Sequence, residues 1–293
     1  DPLWSRGLGD VYKRQVQGLR SAHPLTLLLR AAGLSRSTFY YHLKAQCAAD
    51  KYAGLKARIG AIYDRHKGRY GYRRITSVLR QAGELVNHKT VQRLMQTLGI
   101  KSLVRIKKYR SYRGDAGRIA PDLLKRQFEA SGPNQKWATD VTEFNVQGKK
   151  LYLSPVMDLY NGEIVAYQTE QRPVFGLVTK MLKKAFARLK PLDTPLLHSD
   201  QGWQYQQPAY RRLLDERAVT QSMSRKGNCL DNAAMESFFG TLKSEFFHLN
   251  RFENIEQLRA GIRQYIHYYN HHRIKLKLKG LSPVQYRTQA FGP

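Results

Sequence analysis

The chain has 293 residues, with 50 basic and 22 acidic side chains and a net charge of +28. Such an excess calls for a polyanionic partner, either nucleic acid or an anionic membrane surface. No run approaches the roughly 18 apolar residues of a spanning helix, so the sequence points to DNA and to no membrane association. The two cysteines, Cys47 and Cys229, are too few for a disulfide framework; with no secretory signal, they read as free thiols of a reducing, cytoplasmic compartment.

The charge is uneven: residues 1–130 hold 27 basic against 8 acidic side chains, and residues 131–293 hold 23 against 14. Residues 1–15 lack a starting Met and a clear period, and read as a non-native leader outside the fold. Residues 16–50 read as a helix-turn-helix. An apolar helix over 25–32 is broken by Gly33, and Ser35 caps a second helix. Arg36, Ser37 and Thr38 then stand where a recognition helix meets base edges. A plain helical hairpin fits the same pattern. Residues 51–100 read as a second such module, with a helix over 51–66 and an aromatic, basic stretch over 69–74 leading into a helix up to Gln81. Gly83 breaks that helix, Asn87 caps the next and Gly99 closes it. Arg73, Arg74, Lys89 and Arg93 are candidate DNA contacts, while the tyrosines read equally as core. Residues 101–130 form a basic linker, either a solvated tether or a strap along DNA, ending in a short helix over 122–130.

The texture changes in residues 131–250. Strands are expected over 137–145, 150–159 and 163–169, with Asn161-Gly162 as a hairpin turn. A helix over 175–189, a strand over 196–199, a helix over 208–217 and a strand over 219–222 follow. A last helix begins near residue 231, with Asp231 or Asn232 as its N-cap. Residues 251–293 hold an amphipathic helix over 255–273 and a basic tail.

Three carboxylates carry the chemistry. Asp140 lies in the first strand, Asp200 ends the fourth, and Glu236 sits early in the last helix, with 35 residues between it and Asp200. On that helix Asn232, Glu236, Gly240 and Lys243 share one face, and Phe238, Leu242 and Phe246 another. Lys243 lies about 10 Å along the axis from Glu236, placed to contact DNA, as Asn232 is. Gathered carboxylates repel one another and must be protonated or neutralised. Mg2+ (or Mn2+) neutralises them through oxygen ligands and substrate phosphate, and a pair of ions suits in-line phosphoryl displacement. Other candidates are weaker. Asp158 ends the second strand, Glu143 faces away from Asp140, and His198 reads as a strand-end hydrogen-bonding group. His267, His271 and His272 have no cysteine pair that would suggest zinc. Tyr265, Tyr268 and Tyr269 beside Arg273 would suit a tyrosine recombinase only by leaving the acids without a role.

With these residues in hand, the chain resembles the second-frame (OrfB) product of the insertion-sequence family three transposases, relatives of retroviral integrases. The likeness runs from about residue 20 to 290. It rests on His198-Ser199-Asp200-Gln201-Gly202, on residues 224–228, on Glu236 with Lys243, and on Tyr268-Tyr269-Asn270, Ser282-Pro283 and Tyr286. One departure is Ala234, where such proteins often carry Pro. The resemblance implies a D,D(35)E active site of Asp140, Asp200 and Glu236 holding two Mg2+. Its fold would be α/β, a ribonuclease-H-like domain of order βββαβαβα behind an all-α helix-turn-helix region. The implied activity is metal-dependent cleavage and transfer of DNA strands at an element's ends. The implied partners are its terminal inverted repeats, target DNA, further copies of the chain on DNA, and an upstream first-frame product, fused or associated. A ribonuclease-H-like nuclease and a catalytically inactive DNA-binding regulator are the competing readings.

Overall fold

The computed structural model describes residues 3–47, 50–103, 120–225 and 229–291. Most of the expected basic linker, including Arg105, Lys107, Lys108, Arg110, Arg113 and Arg118, lies outside them, as do Lys226, Gly227 and Asn228. The chain divides into two compact units, Asp1–Arg58 and Ile59–Pro293.

The first unit is helical: α1 (Leu3–Leu19), α2 (Leu25–Ala31), α3 (Arg36–Cys47) and the start of α4 (Ala53–Arg65). Its small core joins Val16, Leu29 and Phe39. The Ser35 hydroxyl accepts from the Thr38 amide at 3.1 Å, as the expected cap requires. Residues 3–15 are helical and run on in α1 to Val16, which joins that core.

The second unit opens with the rest of α4, then α5 (Tyr72–Gln81) and α6 (His88–Thr97). The chain leaves α5 through Gly83 at φ +87°, a conformation open to glycine at no steric cost. Asn87 then caps α6 by accepting from the Lys89 amide at 2.9 Å. The sheet follows: β1 (Lys136–Thr139), β2 (Thr142–Val146), β3 (Lys149–Asp158), β4 (Ile164–Glu170), β5 (Leu196–Ser199) and β6 (Thr220–Met223). The helices α7 (Phe175–Phe186), α8 (Pro208–Asp215), α9 (Ala233–Glu245), α10 (Ile255–His271) and α11 (Pro283–Phe291) alternate with or follow it.

β4 and the β1–β2 pair flank β3, all antiparallel, and β5 and β6 continue from β1 in parallel. Trp137 and Val156 point to one apolar layer, with Val178, Leu182 and Leu214, while Ala138, Phe144 and Met157 point to the other, with Phe238, Leu242 and Ile262. Both faces are therefore covered, as a sheet with crossover helices requires. This is the ribonuclease-H-like α/β arrangement, behind an all-α N-terminal region.

Three elements differ from the expectation. The strand expected over 137–145 is interrupted at residues 140 and 141, although one register runs through it: Thr139 faces Val156 and Thr142 faces Leu153. That register sets Pro155, which has no N–H to give, across from Asp140. No helix forms over 122–130. There the Leu123 and Leu124 amides donate to the Ser222 hydroxyl, at 3.0 and 3.3 Å, tying the segment to β6 instead of to itself. The basic tail contains α11, opened by a reciprocal cap: the Gln285 amide donates to the Ser282 hydroxyl, and the Ser282 amide to the Gln285 side chain.

Candidate active site

β1 and β5 are parallel neighbours, with Trp137 beside Leu197 and Ala138 beside His198. Two residues further along the same register come Asp140 and Asp200, side by side at the carboxyl ends of adjacent strands. Strand spacing is about 4.8 Å, and the carboxyl ends of strands in such sheets are where ligands bind. Each acid is fixed by a local backbone bond. Asp140 accepts from the Val141 amide at 2.7 Å, and Asp200 from the Gly202 amide at 2.9 Å. Thr139, fully buried, anchors the end of β1 by donating to the Pro155 carbonyl.

Glu236 comes from α9. Met235, Phe238, Phe239 and Leu242 bury one side of this helix against Phe144 and α10, leaving Glu236, Gly240 and Lys243 on the other. Asn232, buried, donates to the Thr139 carbonyl at 3.3 Å and so pins the start of α9 to the end of β1. Neither expected N-cap acts as one. The Asn232 side chain serves β1, and the buried Asp231 is clamped by Arg225 and Arg126, at 3.0 and 2.8 Å, which hold its carboxyl far below the usual range.

Asp140, Asp200 and Glu236 are all half-buried. Burial pushes the Asp140 carboxyl well up, and Asp200 and Glu236 add to the rise; the Val141 amide and Lys243 work against it. Burial also raises Asp200, against the Gly202 amide. Lys243 acts on Asp140 while its ammonium lies 5.4 Å from the Phe144 ring centre. Sequence reasoning missed Tyr205 and Tyr210. Both are fully buried with ring centres 5.4 Å apart, and burial together with the nearby aspartates raises their hydroxyls. Tyr205 lies in a single 3-10 turn, too short for a period to reveal.

The donor set is all oxygen, half-buried and short of positive charge, which suits a hard divalent cation. As they stand, no three carboxylate, histidine or cysteine side chains among the described residues gather around one cation position. The other candidates are engaged in structure. Asp158 accepts from the Asn134 and Tyr160 amides and faces Arg287 at 3.5 Å. Glu143 pairs with Lys150 at the surface, and His198 bonds Ser222 at 2.9 Å.

The candidate DNA contacts fall into two groups. Arg36, Ser37 and Thr38 are exposed at the start of α3, and Arg73, Lys89 and Arg93 are exposed on α5 and α6. Arg74 turns inward to Glu245 at 3.3 Å, and Asn232 is inside the fold as described.

Comparison with known proteins bears on this geometry. Residues 130–229 and 236–291 match two profiles described as integrase core domain, and residues 50–108 match an HTH-like domain. The chain is 57% identical over 275 residues to the putative transposase InsK for insertion sequence element IS150 of Escherichia coli (strain K12), covering 94% of this chain and 97% of that protein. It is 36% identical over 232 residues to the transposase InsF for insertion sequence IS3A of the same organism, covering 78% and 80%. Among solved structures, the HTLV-2 integrase catalytic core domain in complex with magnesium aligns at a TM-score of 0.42 with 16% identity, covering 54% of this chain and 98% of that one.

Proposed function

Because the chain belongs to the insertion-sequence transposases that carry an integrase core domain, we propose that it is the polynucleotidyl transferase of such an element, cutting and joining DNA at the element's ends with Asp140, Asp200 and Glu236. The observation that carries this reading is the β1–β5 register, which brings two aspartates from distant parts of the chain to adjacent strand ends. Glu236 reaches the same site from α9, and its charge is felt by Asp140.

In this reading the three carboxylates hold Mg2+ or Mn2+, two ions in all. The chemistry divalent ions supply at such a site is activation of an attacking oxygen and stabilisation of the leaving one. The chain's own part is to fix the acids. The Val141 and Gly202 amides orient Asp140 and Asp200, and Asn232 sets the start of α9. Lys243 lies beside them as the cation for a DNA phosphate. Residues 16–50 and 51–100 serve as DNA-binding modules, with Arg36, Ser37, Thr38, Arg73, Lys89 and Arg93 at the duplex. Residues 101–130 link them to a catalytic core over 131–250, followed by 251–293. The substrates are the terminal repeats and target DNA, bound by several copies of the chain with or without the first-frame product, in the cytoplasm. None of the helices in the described residues is long and apolar enough to cross a membrane.

The test is strand transfer with oligonucleotides carrying the element's ends. Asp140→Asn, Asp200→Asn and Glu236→Gln should each cut joining by more than about 100-fold while DNA affinity holds. Near-normal joining by any one of them overturns the triad. Cleavage without joining by the wild type would favour a nuclease, and binding without either a regulator.

A further inference from the structure

A cavity of about 680 Å³ opens between α5, the start of α6 and a turn near the chain's end, lined by Arg73, Thr76, Ser77, Arg80, His88 and Lys279. Nearly 200 residues separate the two sides, yet they are fastened together. Gln81 donates to the Gly280 carbonyl at 2.9 Å. Gly280 lies at φ +80°, where a side chain would run into Ser77. The turn is also closed on itself, with the Lys275 amide donating to Leu281 and the Gly280 amide to Lys275, at 2.9 and 3.1 Å. Lys279 takes a left-handed conformation, φ +56°, that is uncommon for a residue with a side chain. The fold thus holds an exposed lysine at the rim of this cavity at some backbone cost.

The charge here is not met from within. Arg74 and Arg273, close by in the chain, are consumed by Glu245. Among the described residues, none of Arg73, Arg80, His88 and Lys279 has a carboxylate within ion-pair distance. Two of these groups are nevertheless oriented. Arg80 donates twice to the Val86 carbonyl at 3.1 Å, and Arg73 to the Tyr72 hydroxyl at 3.2 Å. Oriented guanidiniums, a lysine and the Ser77 hydroxyl facing an open cavity are the donor set of a phosphate backbone site, while the Thr76 hydroxyl is spent on the Tyr72 carbonyl. The exposed face of α6, with Lys89 and Arg93, begins at its edge.

We propose that this cavity cradles the sugar–phosphate backbone of duplex DNA, and that the turn over residues 275–281 is a DNA-binding element working with α5. The inference rests on the transposase reading above but commits to a site that reading does not require. It joins the helix-turn-helix-like segment and the far end of the chain into one DNA surface. Lys279 and Arg73 are its backbone contacts, positioning the duplex without reading its sequence.

The test uses the full chain, labelled duplexes carrying the element's ends or unrelated sequence, and a salt titration of affinity. Lys279→Asn, which tolerates the left-handed backbone, and Arg73→Ala should each weaken binding to both duplexes several-fold. Each should lower the log–log salt slope by about 0.9 for every phosphate no longer neutralised. Lys279→Arg should restore both, and Lys183→Ala, on an exposed face of α7, should change neither. Wild-type binding with the Lys279 and Arg73 variants unchanged in affinity and slope overturns the cradle and removes Arg73 from the duplex contacts, while the transposase reading stands. So does release of the duplex by a few millimolar inorganic phosphate at constant ionic strength, which would mark a small-anion site. A wild type that binds no duplex at all overturns the transposase reading itself.

Discussion

One helix carries two glutamates with opposite fates. At the start of α9, Glu236 stands with Asp140 and Asp200; burial pushes both aspartates up, and repulsion from Asp200 and Glu236 adds to the rise at Asp140. At its end Glu245, only 2% exposed, meets Arg273 through two bonds of 2.7 Å, Arg74 at 3.3 Å and the Tyr265 hydroxyl at 3.0 Å. Those partners outweigh burial and hold Glu245 below its ordinary value. Burial alone does not decide what a carboxylate is for; the charges it is given do. The Glu245 site is complete within the chain. The Asp140 site keeps its carboxyls raised, and in the proposed transposase reading a metal ion from outside the chain completes it. The same contrast explains Arg74, which by sequence looks like a phosphate contact but belongs to the complete site.

The largest effect should come from opening the complete site. Glu245→Ala leaves the buried Arg273 unpaired, and breaking such a pair costs about 3–5 kcal/mol. In a unit of this size each kcal/mol moves the melting temperature by about 2–4 °C. Calorimetry of the Glu245→Ala variant should therefore show a fall of roughly 10 °C. Replacing Arg273 by Leu as well should recover part of it, because no buried charge is then left over. A melting temperature within a degree or two of wild type would mean that Glu245 is no anchor and that the contrast fails.

Next in size is His66, beside the same hub. Its ring stacks on Tyr70 at 3.8 Å and bonds the Tyr268 hydroxyl at 3.1 Å. Burial first, then Arg65, Arg69, His272 and Arg74, bring it down from 6.5 to about 4. Between those values the unfolded chain holds a proton that the folded chain refuses, so stability falls as pH drops through that window. The full effect is about 3 kcal/mol. The raised aspartates act with the opposite sign, since the fold then binds the extra protons, so the wild-type curve alone cannot isolate His66. The difference between wild type and His66→Gln can: it should shrink as pH falls from 6.5 to 4. A constant gap would show that His66 is not held neutral.

Much of this was legible in the sequence, and the failures have physical causes. The strand that ends at Asp200 follows from a short apolar run closed by a polar residue, whereas Asp140 was expected inside a strand and its pairing beside Asp200 came only with the fold. The gap from Asp200 to Glu236 could be counted directly. What could not be read was which charged side chains turn inward, because Arg73 and Arg74 are alike in sequence and only the fold sends one to Glu245. Asn232 likewise looked like part of an open helix face but is spent on the Thr139 carbonyl. The Ser282–Gln285 cap was readable, since Ser followed three residues later by Gln is a known helix start; the lysines before it drew the segment into a basic tail. The tie between residues 121–124 and β6 had no local signal at all.

A smaller effect of opposite sign should come from relieving the incomplete site. With no cation bound, Asp140→Asn removes a charge that burial and two acids oppose, so the variant should melt a few degrees above wild type while losing strand transfer. Added Mg2+ should stabilise the wild type and leave the variant unmoved. Asp140→Asn melting below wild type in a chelating buffer would show that the acids are not in conflict.

The smallest effect sharpens the contrast most, and it belongs to Lys243. Glu245 has two guanidiniums to itself, whereas Asp140 feels the Lys243 ammonium, which lowers its carboxyl against three raising influences. Removing the ammonium should therefore lift Asp140 further and delay its ionisation on raising pH. If the reaction needs ionised Asp140, Lys243→Ala should move the acid limb of the pH profile for joining upward. The loss of rate should then be greatest at low pH and fade as pH rises. Lys243→Arg should keep the limb in place, since the charge stays. A phosphate contact predicts something else: weaker engagement of the DNA end at every pH, with a smaller salt slope. Measuring the joining rate across pH at both limiting and saturating DNA separates the two roles. An unmoved limb with weakened affinity leaves Lys243 only the phosphate; wild-type behaviour in both measurements removes it from the site altogether.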